Sequence, residues 1–130
     1  MSPIFLSLED VLYFHEKEIN RAKGTKEIRD LGALEASLEA PKASFEGKYL
    51  MDIFEMAATY VRSICTRHPF LDGNKRVAAL CAVVFLHING YDFSENYKEE
   101  LADKILALVT KKINKSKLAK YFEENSEKLI

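Results

Sequence analysis

Cysteine is scarce in this chain: two in 130 residues, at Cys65 and Cys81. That excludes a disulfide scaffold. Both fall on apolar helical faces, where free Cys acts as a small core residue, and the expected compartment is a reducing cytoplasm. An excess of either charge is also missing, since 19 basic side chains face 20 acidic ones and leave a net charge of -1. Nothing therefore draws the whole molecule to nucleic acid or to a membrane, and neither is expected as a partner. The longest apolar run breaks at His87, short of the roughly 20 residues of a membrane span. The opening Met1-Ser2-Pro3-Ile4-Phe5-Leu6-Ser7 has neither the basic region nor the cleavage site of a signal peptide. No repeat, low-complexity stretch or second domain stands out. Residues 1–130, 48% hydrophobic, are expected to form one domain around one core.

What is present is mostly helical periodicity. Ser7 with Asp10 reads as a capping box, and Leu8, Val11, Leu12, His15 and Ile19 form a stripe continuing to Ala22. His15 on that stripe is expected to be a half-buried, hydrogen-bonded core residue. After a loop at Lys23-Gly24-Thr25, Asp30 caps a helix over Leu31–Ala40, with Leu31, Leu34 and Leu38 inward and Pro41 as the stop. Arg29-Asp30 reads as a surface pair. The stretch from Pro41 to Tyr49 has turn chemistry at Glu46-Gly47 and suits a loop anchored by Phe45 and Tyr49, or a hairpin. A long helix over Leu50–Thr66 repeats apolar residues at 3–4 spacing (Leu50, Ile53, Phe54, Ala57, Val61, Ile64, Cys65). Beyond Gly90, Tyr91-Asp92-Phe93 is a short strand expected to pair with Ile4-Phe5. Ser94 caps a helix from Glu95 to Ile113, with Tyr97, Leu101, Ile105, Leu108 and Val109 inward. Ser116 caps the last helix, whose Leu118, Tyr121 and Phe122 pack back. Lys111, Lys112, Lys115, Lys117 and Lys120 read as a solvated basic face.

Chemistry concentrates between His68 and Ile88. A polar turn, His68-Pro69-Phe70-Leu71-Asp72-Gly73, runs into a helix that starts near Gly73 or Asn74, is apolar on nearly every side, and stops at Asn89-Gly90. Lys75 and Arg76 then sit in the first turn. The helix end there already carries about half a positive charge, so each cation is disfavoured by roughly 0.3–1 kcal/mol. Asp72 offsets part of this; an external anion offsets the rest. Gly73, Asn74, Lys75 and Arg76 are thus a phosphate cradle in waiting. Pro69 is expected to hold His68 extended and so aim its imidazole, while Phe70 plugs the turn into the core. His68 is the side chain suited to taking a proton near neutral pH. Asp72 beside phosphates suits magnesium, which takes one or two carboxylates plus phosphate oxygens. Together these describe phosphoryl or nucleotidyl transfer to a hydroxyl. Gly73-Asn74-Lys75 is not a P-loop, lacking the upstream Gly and the following Ser or Thr. Cys65 and His68 lack a second ligand pair for zinc.

The run from His68 to Arg76 resembles the signature of the Fic/Doc superfamily, His-x-Phe-x-Asp/Glu-Gly-Asn-x-Arg. Asn74-Lys75-Arg76 is similar to the Doc (death-on-curing) branch, where Fic adenylyltransferases have Gly at the position of Lys75. Ala79 replaces the second Arg usual in Fic enzymes, and Gly73 is Fic-like where some Doc proteins have Ala. Phe5–Val11, Ile28–Glu35 and Phe85–Tyr91 extend the likeness over residues 4 to 125. In Doc-like proteins the region of Arg29-Asp30 lies near the active site, so the resemblance sets a functional role beside the surface-pair reading of those two residues. The resemblance implies an all-α bundle of about six helices around a buried central helix, with a small β flap. It implies a Doc-like toxin of a toxin–antitoxin system that moves the terminal phosphate of ATP, with Mg2+, onto a Ser or Thr of a target such as elongation factor Tu, arresting translation. His68 would be the base, Asp72 the metal carboxylate, Gly73 and Asn74 the phosphate binders. Lys75 and Arg76 would bind phosphate and neutralise the transferring group. Phe45, Glu46, Gly47 and Lys48 would be the flap aligning the target. The Fic inhibitory pattern, Ser/Thr-x-x-x-Glu-Gly/Asn, fails at Glu46-Gly47 and Glu124-Asn125, which follow Lys42 and Lys120. Restraint is then expected from a prevents-host-death-like antitoxin with a disordered tail. The alternatives are Fic-type AMP transfer and a catalytically silent module that binds an anion or a partner.

Overall fold

Each helix forms where an apolar stripe meets a cap. In a computed structural model, which describes residues 2–93 and 98–129, the elements are α1 (Leu8–Ala22), α2 (Leu31–Glu39), a 3-10 turn (Ala40–Lys42), β1 (Ser44–Phe45), β2 (Lys48–Tyr49), α3 (Ile53–Arg67), α4 (Asn74–Ile88), β3 (Tyr91–Phe93), α5 (Lys98–Val109), α6 (Lys115–Glu124) and β4 (Ser126–Lys128). The Ser7–Asp10 capping box is present in both directions, and Asp30 accepts from the Ala33 N–H. A second capping box at Asp52 and Glu55 opens α3, so that helix begins later than the apolar spacing suggests. Leu50 lies outside it and is exposed, as is Leu31 on α2. Pro41 ends the α-helix by opening the 3-10 turn, where its missing N–H costs nothing.

The centre is shared by two helices. Helix α3 buries Met56, Ala57, Ala58, Tyr60, Val61 and Ile64 and packs against α2, α4, α5 and α6. Helix α4 lies along it, covered also by α1, α5 and β3, and buries Val77, Ala78, Cys81, Ala82, Phe85 and Leu86. Full burial of a ring such as Phe85 contributes about 1.5–3 kcal/mol, and most such side chains here join one continuous core. Because α3 ends and α4 begins inside this packed pair, the turn between them hangs from two fixed ends.

Two small antiparallel sheets complete the fold. In the first, Ser44 pairs with Tyr49 and Phe45 with Lys48 around Glu46 (φ 51°) and Gly47 (φ 80°). Two successive left-handed residues make the tight hairpin turn whose twist matches its strands. Phe45 is 68% exposed and anchors nothing; Tyr49 meets Phe5 edge-on at 5.5 Å. In the second sheet β3 pairs with β4, not with Ile4-Phe5 as expected. The Asn89 side chain takes the place of a strand there, accepting from the Ile4 N–H (2.8 Å) and donating to the Ile4 carbonyl (2.9 Å). The expected Ser94 cap, and Glu95 and Tyr97, lie outside the described residues. Helix α5 stops at Val109, short of Ile113, because Lys111 turns left-handed (φ 63°). Asn114, rather than Ser116, caps α6 by accepting from the Lys117 N–H at 2.9 Å. Among the described residues no helix is long and apolar enough to cross a membrane.

Candidate active site

Helix α3 ends on His68 itself. Its N–H closes the last helical turn onto the Ile64 carbonyl at 3.0 Å, and its backbone is left-handed (φ 54°, ψ 55°). This corrects the expectation that Pro69 keeps His68 extended. The strain of a left-handed residue is offset by Arg29, whose Nε donates to the His68 carbonyl (2.6 Å) and whose Nη2 donates to the Arg67 carbonyl (2.7 Å). Charged donors on terminal helix carbonyls are the strong kind of hydrogen bond. Arg29 is therefore not a simple surface residue paired with Asp30. Its own N–H and that of Asp30 donate to the Pro69 carbonyl (2.8 and 3.0 Å), and the Leu71 N–H donates to Glu27 at 3.2 Å. Residues 27–30 thus brace the turn like a strand, with Ile28 opposite Phe70.

Phe70 plugs the core as expected, fully buried, with its ring stacked on His15 at 3.7 Å and 7°. His15 Nε2 donates to the Asp72 carbonyl at 2.9 Å; since a carbonyl only accepts, the proton sits on Nε2. Burial holds the His15 imidazole below its ordinary pKa of 6.5, with Arg76 adding to that effect and the Asp72 carbonyl and carboxylate opposing it. A neutral His15 thus ties α1 to the turn. Asn74, buried at the start of α4, clamps the turn from inside. Its Oδ1 accepts from the Phe70 N–H (3.0 Å) and its Nδ2 donates to the Phe70 carbonyl (2.8 Å). The side chain spends its Oδ1 and one of its two Nδ2 hydrogens on Phe70, while the backbone N–H of Asn74 stays outside that clamp.

Gly73 caps α4 in a left-handed conformation (φ 84°, ψ 12°) with no side-chain cap. The first intrahelical bond is Val77 N–H to the Gly73 carbonyl at 3.0 Å. The N–H groups of Asn74, Lys75 and Arg76 precede it and have no partner within the helix. The residues that carry them line an open cleft of about 390 Å³ together with His68, Asp72 and Gly73. Every residue of the expected catalytic and phosphate-binding set is brought to this one cleft; the hairpin residues Phe45, Glu46, Gly47 and Lys48 do not line it. Among the described residues Lys75 makes no ion pair. Arg76 stands 4.0 Å from both Glu18 and Asp72 carboxylate oxygens, while Glu18 is held closer by Arg21 at 2.9 Å. At 4.0 Å, with the Arg76 side chain 44% exposed, such pairs contribute little, so both cations remain open to an incoming anion. The Asp72 side chain is half exposed, and the backbone of Gly24 comes so close that a Cβ there would strike its Oδ2. One carboxylate beside an anion cradle fits magnesium shared with phosphates. Cys65 also lines the cleft, but burial pushes its thiol up to about 11, so it is protonated and inert at neutral pH.

Residues 5–86, the stretch that contains this whole construction, match the Fic/DOC family. The chain belongs to the Fic/Doc family. It is 32% identical over 114 residues to the protein kinase doc of Escherichia phage P1, covering 88% of this chain and 89% of that one. It is also 32% identical over 84 residues to the toxin Doc of Mycolicibacterium smegmatis (strain ATCC 700084 / mc(2)155), covering 64% and 65% of the two chains. The Fic/Doc motif, His68 to Arg76, is thus seen here with its supports. Of those, Gly24 and the His15–Asp72 bond escaped sequence reasoning as parts of the site. Arg29 did not: the family resemblance already brings its region near the active site, and its bonds to the His68 and Arg67 carbonyls give it a place there.

Proposed function

We propose that this Fic/Doc protein is a Doc-like toxin that transfers the terminal phosphate of ATP to a Ser or Thr hydroxyl of a target protein. A translation factor such as elongation factor Tu is the expected target type, and arrested translation the consequence. One observation carries the reading: an imidazole, a carboxylate, one cation without an ion pair among the described residues, one held only at 4.0 Å, and the start of a helix share a single cleft. The name of the phage relative supports the kinase assignment, and that of the mycobacterial one supports a toxin restrained by an antitoxin.

The chemistry divides as follows. His68 accepts the proton of the incoming hydroxyl as its oxygen bonds to the terminal phosphorus of ATP and the bond from that phosphorus to the bridging oxygen breaks, releasing ADP; imidazole suits a base working near neutral pH. Lys75, Arg76 and the N–H groups of the first turn of α4 neutralise the charge spread over the phosphoryl oxygens, which is the main demand of phosphoryl transfer. Asp72 would hold magnesium, which shields phosphate charge when bound. Lys75 stands where a Gly would leave space for a nucleotide's inner phosphates, and the likeness to the Doc branch implies that ATP then presents its terminal phosphate to His68. The β1–β2 hairpin, from Phe45 through Glu46 and Gly47 to Lys48, has no third strand beside it among the described residues. Its outer edge suits alignment of a target segment by strand addition. The partner that restrains the enzyme is a prevents-host-death-like antitoxin whose tail folds onto it.

The test uses magnesium and ATP labelled on either the terminal or the innermost phosphate, with bacterial extract. Terminal label on a protein, absent with His68→Ala, is the expected result. Innermost label instead means AMP transfer. No label above the His68→Ala background means a silent binding module and ends the kinase reading.

A further inference from the structure

The basic run that the sequence presents as a solvated face is not a flat surface. Arg62 on α3 and Lys111, Lys112, Lys115 and Lys117 around the α5–α6 turn line one open cleft of about 580 Å³, and among the described residues no Asp or Glu lines it. None of the five makes an ion pair among the described residues. In a molecule of net charge -1, so many uncompensated cations in one concavity focus a positive field. The cleft adjoins the active site, because Cys65 and Val109 line both. It also adjoins the hairpin, because Lys115 Nζ lies 3.3 Å from Met51 Sδ, two residues beyond β2.

Resting on the protein-kinase reading above, we propose that this cleft docks an acidic segment of the target protein, a few Asp or Glu residues flanking the acceptor hydroxyl. A short acidic peptide matches a compact group of five cations. A nucleic-acid duplex, with a charge about every 1.7 Å, calls for an extended basic face, whereas outside the five cations of the cleft the chain has 14 basic side chains against 20 acidic ones. The cleft would thus supply target selection while the neighbouring site supplies chemistry.

The full-length protein is titrated with a fluorescent peptide carrying one Thr between Glu runs, with the same peptide bearing Gln for Glu, and with a single-stranded oligonucleotide of equal charge, at physiological salt. The Glu peptide should bind more tightly than the Gln peptide. Lys112→Glu with Lys117→Glu, both exposed positions, should weaken it about tenfold or more, while Lys112→Arg with Lys117→Arg retains it and ATP affinity is unchanged in both. Equal binding of the two peptides, or no loss on charge reversal, overturns the proposal. So does an oligonucleotide that binds better than the Glu peptide and is lost on reversal. His68→Ala should bind the Glu peptide like the unmodified protein. If the unmodified protein binds that peptide through the cleft yet never phosphorylates it with ATP, the docking stands and the kinase reading falls.

Discussion

At the scale of single residues, the turn from His68 to Arg76 separates groups proposed to act from groups that hold. His68 is exposed and donates its backbone, not its ring, to the fold. His68→Ala should therefore lower phosphate transfer by about 10²–10⁴-fold with an unchanged melting temperature. Arg29→Ala should instead lower kcat through the position of His68 and cost about 1.5–3 kcal/mol of stability, the range for a hydrogen bond to a charged group; Arg29→Lys, without the planar fork, should recover only part. Thermal unfolding beside steady-state rates separates the two effects, and an Arg29→Ala enzyme with full activity would remove Arg29 from the positioning role. Gly24→Ala should depress activity more than stability, because the added methyl displaces the Asp72 carboxylate. If magnesium dependence of the rate is unaltered in that variant, Asp72 is not the metal carboxylate.

At the scale of elements, the site is a junction of helix ends. The end of α3 is held by Arg29, the start of α4 is left open to an anion, and α1 reaches in through His15. The open end predicts a linkage: ATP at about 100 times its Kd should raise stability by roughly 2.7 kcal/mol, and Lys75→Ala with Arg76→Ala should abolish most of that shift. Differential scanning calorimetry with and without nucleotide reads it directly. Asn74→Ala attacks the same junction from inside, leaving the Phe70 N–H and carbonyl without their partner. It should destabilise by about 1–3 kcal/mol per orphaned group, and nucleotide should not rescue it fully.

For the whole molecule, the buried His15 couples stability to pH. Its folded pKa lies below the 6.5 of an exposed His, so below that pH the unfolded chain binds more protons and stability falls as the pH falls. Above pH 6.5 the His15 contribution is fully present. A His15→Gln variant should lose this part of the acid sensitivity, which denaturant unfolding across the pH range would show. The sequence by itself determined the six helices, the plug at Phe70, the helix start at Asn74 and the meeting of His68, Asp72 and the two cations along one cleft. All of these are fixed by local spacing, capping chemistry and a motif of neighbouring residues. Only the tertiary structure decided the left-handed ending at His68, the brace from Arg29, the β3–β4 pairing in place of β3 with Ile4-Phe5, and the gathering of Arg62 with four lysines into a cleft. Each of those joins residues far apart in the chain, and such contacts are set by how the packed helices bring their ends together, which no local periodicity encodes.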